Sequence, residues 1–333
     1  MQSIYLLEPG SYMKVRGATL RIEKNGTLID EIPAQGLERL TLIGRCSMTG
    51  AVLDFLIENR VETVFITLTG RFRARLLLDA PGHVKLRQLQ YKRLSDKKFS
   101  LCLASRIVQM KISSQQKLLL RRSYRKRIQA LRNIAVQLRA LSQKAASAKD
   151  IQTLRGIEGA AARAFYSGFG LLIQNENFFF NSRNKRPPLD PVNALLSFVY
   201  VLFTNEVLNA VKVSGLDPYL GALHEPVSGR PSLACDLVEE WRAMAENFVL
   251  NLINRRMVEP DDFVHTGRKE RPIEMAPGFV RALISGYEKK MEQQISLKTG
   301  PIALRWAIHS RIQEFVEYLK DGERELPLLE YSF

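Results

Sequence analysis

The 333-residue sequence is 46% apolar and carries a formal net charge of +15. That composition supports real cores, excludes a disordered tail-like chain and points to a polyanionic partner. Three widely spaced cysteines, Cys46, Cys102 and Cys235, exclude a disulfide framework and fit a reducing compartment.

The chain begins MQSIYLLEPGSYMKV, with no basic leader and no long apolar run. Residues 1–80 read as β. Tyr12–Arg16 and Thr19–Lys24 alternate loosely, and Asn25-Gly26 supplies the positive φ angles of a two-residue hairpin turn. Leu28–Ile32 returns, Leu37–Ile43 is a further strand, and Ser47 or Thr49 caps a short helix over Gly50–Asn59. Val61–Thr67 reads as a buried strand and Arg71–Leu78 as an alternating one. No cluster of acids and histidines appears in this part. Asp79-Ala80-Pro81-Gly82 is a turn signal and marks the expected boundary between a domain of residues 1–80 and one of residues 83–333.

Beyond the boundary nearly everything reads as helix: Leu101–Arg122, Tyr124–Gln143, Ile151–Leu172, a long apolar helix opened by Asp190-Pro191, and Arg242–Leu319 apart from a loop around Glu259–Pro277. The expected fold is α+β with two domains: a small N-terminal β-sheet or sandwich domain and a larger all-α C-terminal domain. Ala194–Phe203 is the longest apolar run and is interrupted by Ser197, too short to span a bilayer. A soluble, cytoplasmic protein with no membrane partner is expected. From Lys85 to Ser147 there are 17 Lys and Arg against one acid, Asp96, while the rest of the chain is nearly neutral. Such segregation is the footprint of phosphate-backbone binding, with Arg121, Arg122 and Arg125 as candidate contacts.

The chemistry is concentrated in Gly221–Arg242, GALHEPVSGRPSLACDLVEEWR. Gly229, Pro231 and Ser232 signal a helix start. From there Leu233, Leu237, Trp241, Met244 and Phe248 form one apolar stripe, roughly 80° wide at about 100° per residue. Asp236 and Glu239 fall beside it, about 60° apart, so both carboxylates can be aimed at one point. His224 precedes the loop and can fold back over the first turn. Glu158 lies upstream in GIEGAAARAFY, beside small residues that permit close helix approach. Carboxylates plus an imidazole suit Mg²⁺ or Mn²⁺ with room for phosphate. The plainer alternative makes Asp236 and Glu239 a solvated helix face, and pairs Glu158 with Arg155 or Arg163 on its own helix.

The segments LEPGSYMKVRG, LRGIEGAAARAFY, RPPLDPVNALLSFVY, GLDPYLGALHEPVSGRPSLACDLVEEWR and NFVLNLINRR occur in this order. Together they resemble the CRISPR-associated integrase of the adaptation module, the universal first Cas protein family, across essentially the whole chain. The resemblance implies a metal-dependent DNA endonuclease and integrase with Mn²⁺ or Mg²⁺ as cofactor. It implies a homodimer formed through the β domain, double-stranded DNA as substrate (a spacer fragment and a CRISPR repeat), and a small second core adaptation protein as partner. It assigns Glu158, His224 and Glu239 as metal ligands, with Asp236 supporting the catalytic site, and offers Arg163, Tyr166 and Arg242 as contacts to DNA. The competing reading is a basic architectural DNA-binding protein without catalysis, in which the same acids are structural.

Overall fold

The computed structural model describes residues 2–8, 10–67, 72–76, 83–126, 128–297, 300–321 and 326–331. The chain separates into two compact units. One is Met1–Pro81 with Asp262–His265 and Glu274–Tyr287, and the other is Gly82–Asp261 with Thr266–Ile273 and Glu288–Phe333. The Asp79–Gly82 boundary signal lies outside the described residues.

The first unit holds two four-stranded sheets. Strands β1 (Gln2–Leu6), β5 (Leu37–Ile43), β7 (Glu62–Ile66) and β8 (Phe72–Leu76) form one, in the order β1-β5-β7-β8. Strands β2 (Ser11–Arg16), β3 (Thr19–Lys24), β4 (Thr27–Pro33) and β6 (Cys46–Met48) form the other, in the order β4-β3-β2-β6. The β3–β4 hairpin turns at Asn25 and Gly26, whose φ angles of 52° and 78° are those an Asn-Gly turn supplies. Met13, Leu20, Ile22 and Ile32 of one sheet, Leu40 and Leu42 of the other, and Val52 and Leu56 of α1 (Gly50–Glu58) share one apolar core. Thr49 occupies the N-cap position of α1, but its side chain makes no capping bond.

The second unit is largely helical. Its helices are α2 (Val84–Ser95), α3 (Lys97–Lys126), α4 (Gln129–Ala146), α5 (Ile151–Leu171), α6 (Pro191–Val213), α7 (Ser232–Leu237) and α8 (Arg242–Asn254). Asp150 caps α5 by accepting from the Thr153 amide, and Asp190 caps α6 by accepting from the Asn193 amide, each at 2.8 Å. Close approach of α5 to its neighbours is tightest at Gly168, where an added Cβ would lie 3.1 Å from Leu119 of α3 and 3.3 Å from Ile134 of α4. By length and composition the whole of α6 is apolar enough to cross a membrane, although its apolar run Ala194–Phe203 is short. However, 72% of its most apolar window is buried inside the protein.

Two features depart from the all-α expectation. The segment read as a loop around Glu259–Pro277 contains a hairpin of β9 (Phe263–Arg268) and β10 (Arg271–Met275). A second hairpin, β11 (Gln294–Leu297) with β12 (Gly300–Ala303), separates α9 (Pro277–Glu292) from α10 (Leu304–Asp321). Both strand pairs are short and charged or glycine-bounded. Period-two alternation over four to six residues is too brief to stand out against the helical pattern around it. The helix start at Ser232 also differs in detail, because the Ser232 hydroxyl donates to the Glu225 carbonyl at 3.0 Å instead of capping.

Candidate metal centre

The predicted apolar stripe is buried as expected, but its helix is not continuous. Between α7 and α8 the chain tightens into a 3-10 turn, Val238–Trp241. Nor is there a solvated face. Asp236 is 0% exposed and Glu239 2%, so both carboxylates must be compensated inside the protein. They are compensated in different ways and do not share a partner.

Asp236 is saturated. Its Oδ2 accepts from the amides of Ala222 (2.6 Å) and Leu223 (2.9 Å), and its Oδ1 accepts from the His224 amide (3.0 Å). The same Oδ1 lies 2.6 Å from His224 Nδ1. The loop can wrap this tightly because residue 221 is glycine: a Cβ there would stand 2.5 Å from Asp236 Oδ2 and 2.8 Å from the Ser232 backbone. His224 therefore takes its orientation from Asp236, which leaves Nε2 as the ring nitrogen for other chemistry.

Glu239 faces the other way, toward α3. Its Oε1 accepts from Arg242 Nε (3.1 Å) and a terminal guanidinium nitrogen (2.7 Å). Its buried Oε2 has no aligned donor, only the Lys111 ammonium at 2.6 Å. That same ammonium pairs with Glu158 Oε1 of α5. Carboxylates from two separate helices thus converge on one cation. Burial opposes ionisation of Glu239, but the Arg242 guanidinium and the Lys111 ammonium outweigh it and hold the carboxyl well below the usual range. Burial likewise works against the Lys111 charge, and the Glu239 and Glu158 carboxylates override it and raise its pKa. Glu158 does not pair with Arg155 or Arg163. Arg155 instead reaches Glu225 and the Leu223 carbonyl.

The structure thus brings together Glu158 and Glu239, and separately His224 and Asp236. Among the described residues no three His, Cys, Asp or Glu side chains are gathered closely enough to hold a metal ion as they stand. The donor set still fits a divalent cation. Two carboxylates already share a cation, one buried oxygen has no aligned donor, and the histidine is oriented through Nδ1 by a carboxylate, the arrangement usual for ligating imidazoles.

The residues expected to touch DNA divide. The Arg242 guanidinium is committed to Glu239 and lies 4.1 Å over the Tyr200 ring. The Tyr166 hydroxyl meets that of Tyr200 at 2.7 Å and Glu246 Oε1 at 3.3 Å. Glu246 Oε1 also accepts from Tyr200 and from Gln115 Nε2, each at 2.8 Å. Arg122 is held by Asn247 and Asn251. Arg121 and Arg163 are exposed, and the Arg125 side chain lies outside the described residues.

Two groups escaped the sequence reading. Lys111 was counted with the basic segment, yet it sits on the buried stripe Ala104, Ile107, Val108, Gln115 and Leu118. A lysine at helical spacing within an apolar face needs an acid opposite, and that was the available signal. Glu246 lies on α8 one turn after Arg242 and is fully buried; beside the polar stripe of Asn247, Asn251 and Asn254 nothing in the sequence set it apart.

The profile of CRISPR associated protein Cas1 matches residues 4–289. A CRISPR-associated endonuclease Cas1 of Moorella thermoacetica is 35% identical over 346 residues, covering 99% of this chain and 98% of the relative. Among solved structures, a casposase bound to its integration product superposes with a TM-score of 0.87 at 22% identity, over 98% of this chain and 93% of that one. A chain of a Cas6-RT-Cas1–Cas2 complex matches with a TM-score of 0.84 at 23% identity, over 98% of this chain and 36% of the larger one. The chain belongs to the Cas1 family of CRISPR-associated endonucleases.

Proposed function

We propose that this protein inserts short DNA fragments into a CRISPR array by metal-dependent transesterification. Glu158, His224 and Glu239 would hold the ion, Mn²⁺ or Mg²⁺. The observation that carries the reading is the convergence of Glu158 and Glu239 on the single cation of Lys111; His224, pinned separately by the buried Asp236, is the third residue offered as a ligand. A bound divalent ion would supply charge neutralisation at the phosphate and a lowered pKa for the attacking hydroxyl.

The chain's own groups do the rest. Asp236 fixes the His224 ring through Nδ1, so Nε2 is presented without rotameric search. Arg242 keeps Glu239 ionised and aimed, while its guanidinium is braced on the Tyr200 face. Lys111 holds the two carboxylates close together, which preorganises them for a divalent ion. In the reaction the 3′-hydroxyl of the incoming fragment attacks a phosphodiester at the repeat edge and displaces the 3′-oxygen of the cut strand. Attack by water on the same phosphate gives nicking.

Exposed cations of the second unit, among them Lys92, Lys97, Lys117, Arg121, Arg132, Arg139 and Lys144, would carry the DNA backbone with little base preference. Likeness to a chain of a Cas6-RT-Cas1–Cas2 complex supports a small second adaptation protein as partner; a homodimer and a cytoplasmic setting are what the family resemblance implies.

The test is strand transfer of a 3′-hydroxyl fragment into a supercoiled repeat-bearing plasmid, with the partner present, alongside disintegration of branched DNA. Activity should require Mn²⁺ or Mg²⁺, disappear in EDTA and disappear in His224→Ala. Strand transfer by His224→Ala at the wild-type rate would overturn the assignment.

A further inference from the structure

The residues of the 3-10 turn Val238–Trp241 diverge. With three residues per turn, successive side chains leave the axis about 120° apart. Glu239 goes to Lys111 and Arg242. Glu240, 1% exposed, goes to Arg311 of α10, which donates to its Oε2 at 2.7 Å and its Oε1 at 3.3 Å. Trp241, 0% exposed, stacks on Tyr331 with ring centroids 5.6 Å apart and planes within 7°. Three elements therefore grip three consecutive residues, and one of the three belongs to the far C-terminal segment Leu326–Tyr331.

That segment is anchored at several points. Leu326 is 1% exposed. Arg311 donates to the Pro327 carbonyl at 2.9 Å, and the Leu329 amide points at Met110 Sδ, 3.1 Å away. The Tyr331 backbone bridges Leu297 of β11. The Tyr331 hydroxyl donates to the Glu240 carbonyl at 3.1 Å. Met110 belongs to the turn of α3 that carries Lys111. One short segment is therefore bonded both to the turn that presents Lys111 and to the turn that presents Glu239.

We propose that Tyr331 is a positioning residue for the endonuclease reaction, acting through the Glu240 carbonyl and the Trp241 ring to set where Glu239 stands. The inference rests on Glu239 being a metal ligand and adds that its placement is fixed by the C-terminal segment. The hydroxyl and the ring do different work. The hydroxyl holds the Glu240 carbonyl in place, and the ring prevents the Trp241 side of the turn from rotating. Loss of either loosens the turn, and a carboxylate displaced by a fraction of an ångström binds a divalent ion less well.

The experiment uses the full chain in a Trp306→Phe background. The sequence has two tryptophans, and Trp306 is 47% exposed, so the remaining emission comes from Trp241. Tyr331→Phe and Tyr331→Ala are compared for kcat and KM in nicking of branched DNA, for the Mn²⁺ concentration giving half activity, and for Trp241 emission. Tyr331→Ala should lower kcat by about 10–100-fold, raise the half-saturating Mn²⁺ and shift Trp241 emission to the red, with KM for DNA unchanged within about twofold. Tyr331→Phe should keep the emission and lower kcat by about fivefold, the worth of one hydrogen bond.

Wild-type kcat and Mn²⁺ dependence in Tyr331→Ala would overturn the proposal. So would a kcat loss with Mn²⁺ dependence and emission unmoved. Should Tyr331→Ala fail to fold, Tyr331→Phe decides on kcat and Mn²⁺ dependence alone. Glu239→Gln is run in parallel. If it keeps activity, the metal-ligand reading fails; if it is inactive while both Tyr331 variants match wild type, only the positioning role fails.

Discussion

Asp236 and Glu239 are three residues apart and both buried, yet they sit in opposite kinds of environment. Asp236 is held by three backbone amides and one imidazole. Backbone amides cannot leave without unfolding the loop, so this carboxylate is a fixed part of the frame. Glu239 is held by two side-chain cations, Arg242 and Lys111. Side chains can move, and a cation at the end of a lysine stem can be exchanged for another cation. A buried carboxylate bound by amides builds a site, and one bound by mobile cations is available to a metal.

The comparison can be broken most severely at Glu239. Glu239→Gln keeps the shape but leaves Lys111 and Arg242 short of an anion. Metal-dependent nicking should fall by at least about 100-fold, measured on branched DNA with Mn²⁺. Lys111→Met comes next. Without its ammonium, Glu158 loses its cation and Glu239 keeps only Arg242, and breaking a buried pair costs about 3–5 kcal/mol. Thermal unfolding in EDTA should drop accordingly, and added Mn²⁺ should raise the Tm of this variant more than that of the wild type. Equal Mn²⁺ shifts in both would mean that lysine and metal do not share a seat.

Asp236→Asn tests the fixed side. The amide keeps one acceptor oxygen and loses the second, so His224 loses its orientation. Nicking should fall by about 10–100-fold while DNA binding, followed by fluorescence anisotropy, stays within twofold.

The smallest effect is expected at Glu246, behind the centre. Burial raises its pKa above the ordinary value, against the lowering influence of Tyr200, Arg242, Gln115 and Lys111. A carboxyl raised in the folded state contributes stability below its unfolded pKa and loses it as pH rises through the folded value. At neutral pH the ionised group is a cost, so Glu246→Gln should raise Tm, by less than Lys111→Met lowers it. That gain should shrink as pH falls toward the ordinary glutamate range. A gain that grows on acidification would reverse the sign assigned here.

Much of this molecule was legible in its residues. The Asn25-Gly26 hairpin, the Asp190 cap and the apolar stripe from Leu233 to Phe248 each follow from local chemistry, and each is present. Asp236, Glu239 and His224 stood out because one loop-and-helix stretch carried two acids and a histidine, and Glu158 because small residues follow it. Their division of labour was not legible. Angular spacing places Asp236 and Glu239 on one flank, but which partner each meets depends on a loop folded over Gly221 and on a helix, α3, far away in sequence. Lys111 was hidden by its neighbours, because seventeen basic residues in one segment read as a surface when one of them is in the core. Tyr331 was unreadable for another reason. Its partners on the 3-10 turn, Glu240 and Trp241, are at least ninety positions away, and no local pattern records a contact at that range.

The central claim is that Glu158, His224 and Glu239 form one divalent-cation site that Lys111 holds in readiness. The most direct measurement is a Mn²⁺ titration of the DNA-free protein by electron paramagnetic resonance, in which bound ion loses its six-line signal. Wild type should bind one Mn²⁺ per chain, His224→Ala and Glu239→Gln should each weaken that binding by at least about tenfold, and Lys111→Met should bind more tightly than wild type. Unchanged affinity in His224→Ala and Glu239→Gln would contradict the site.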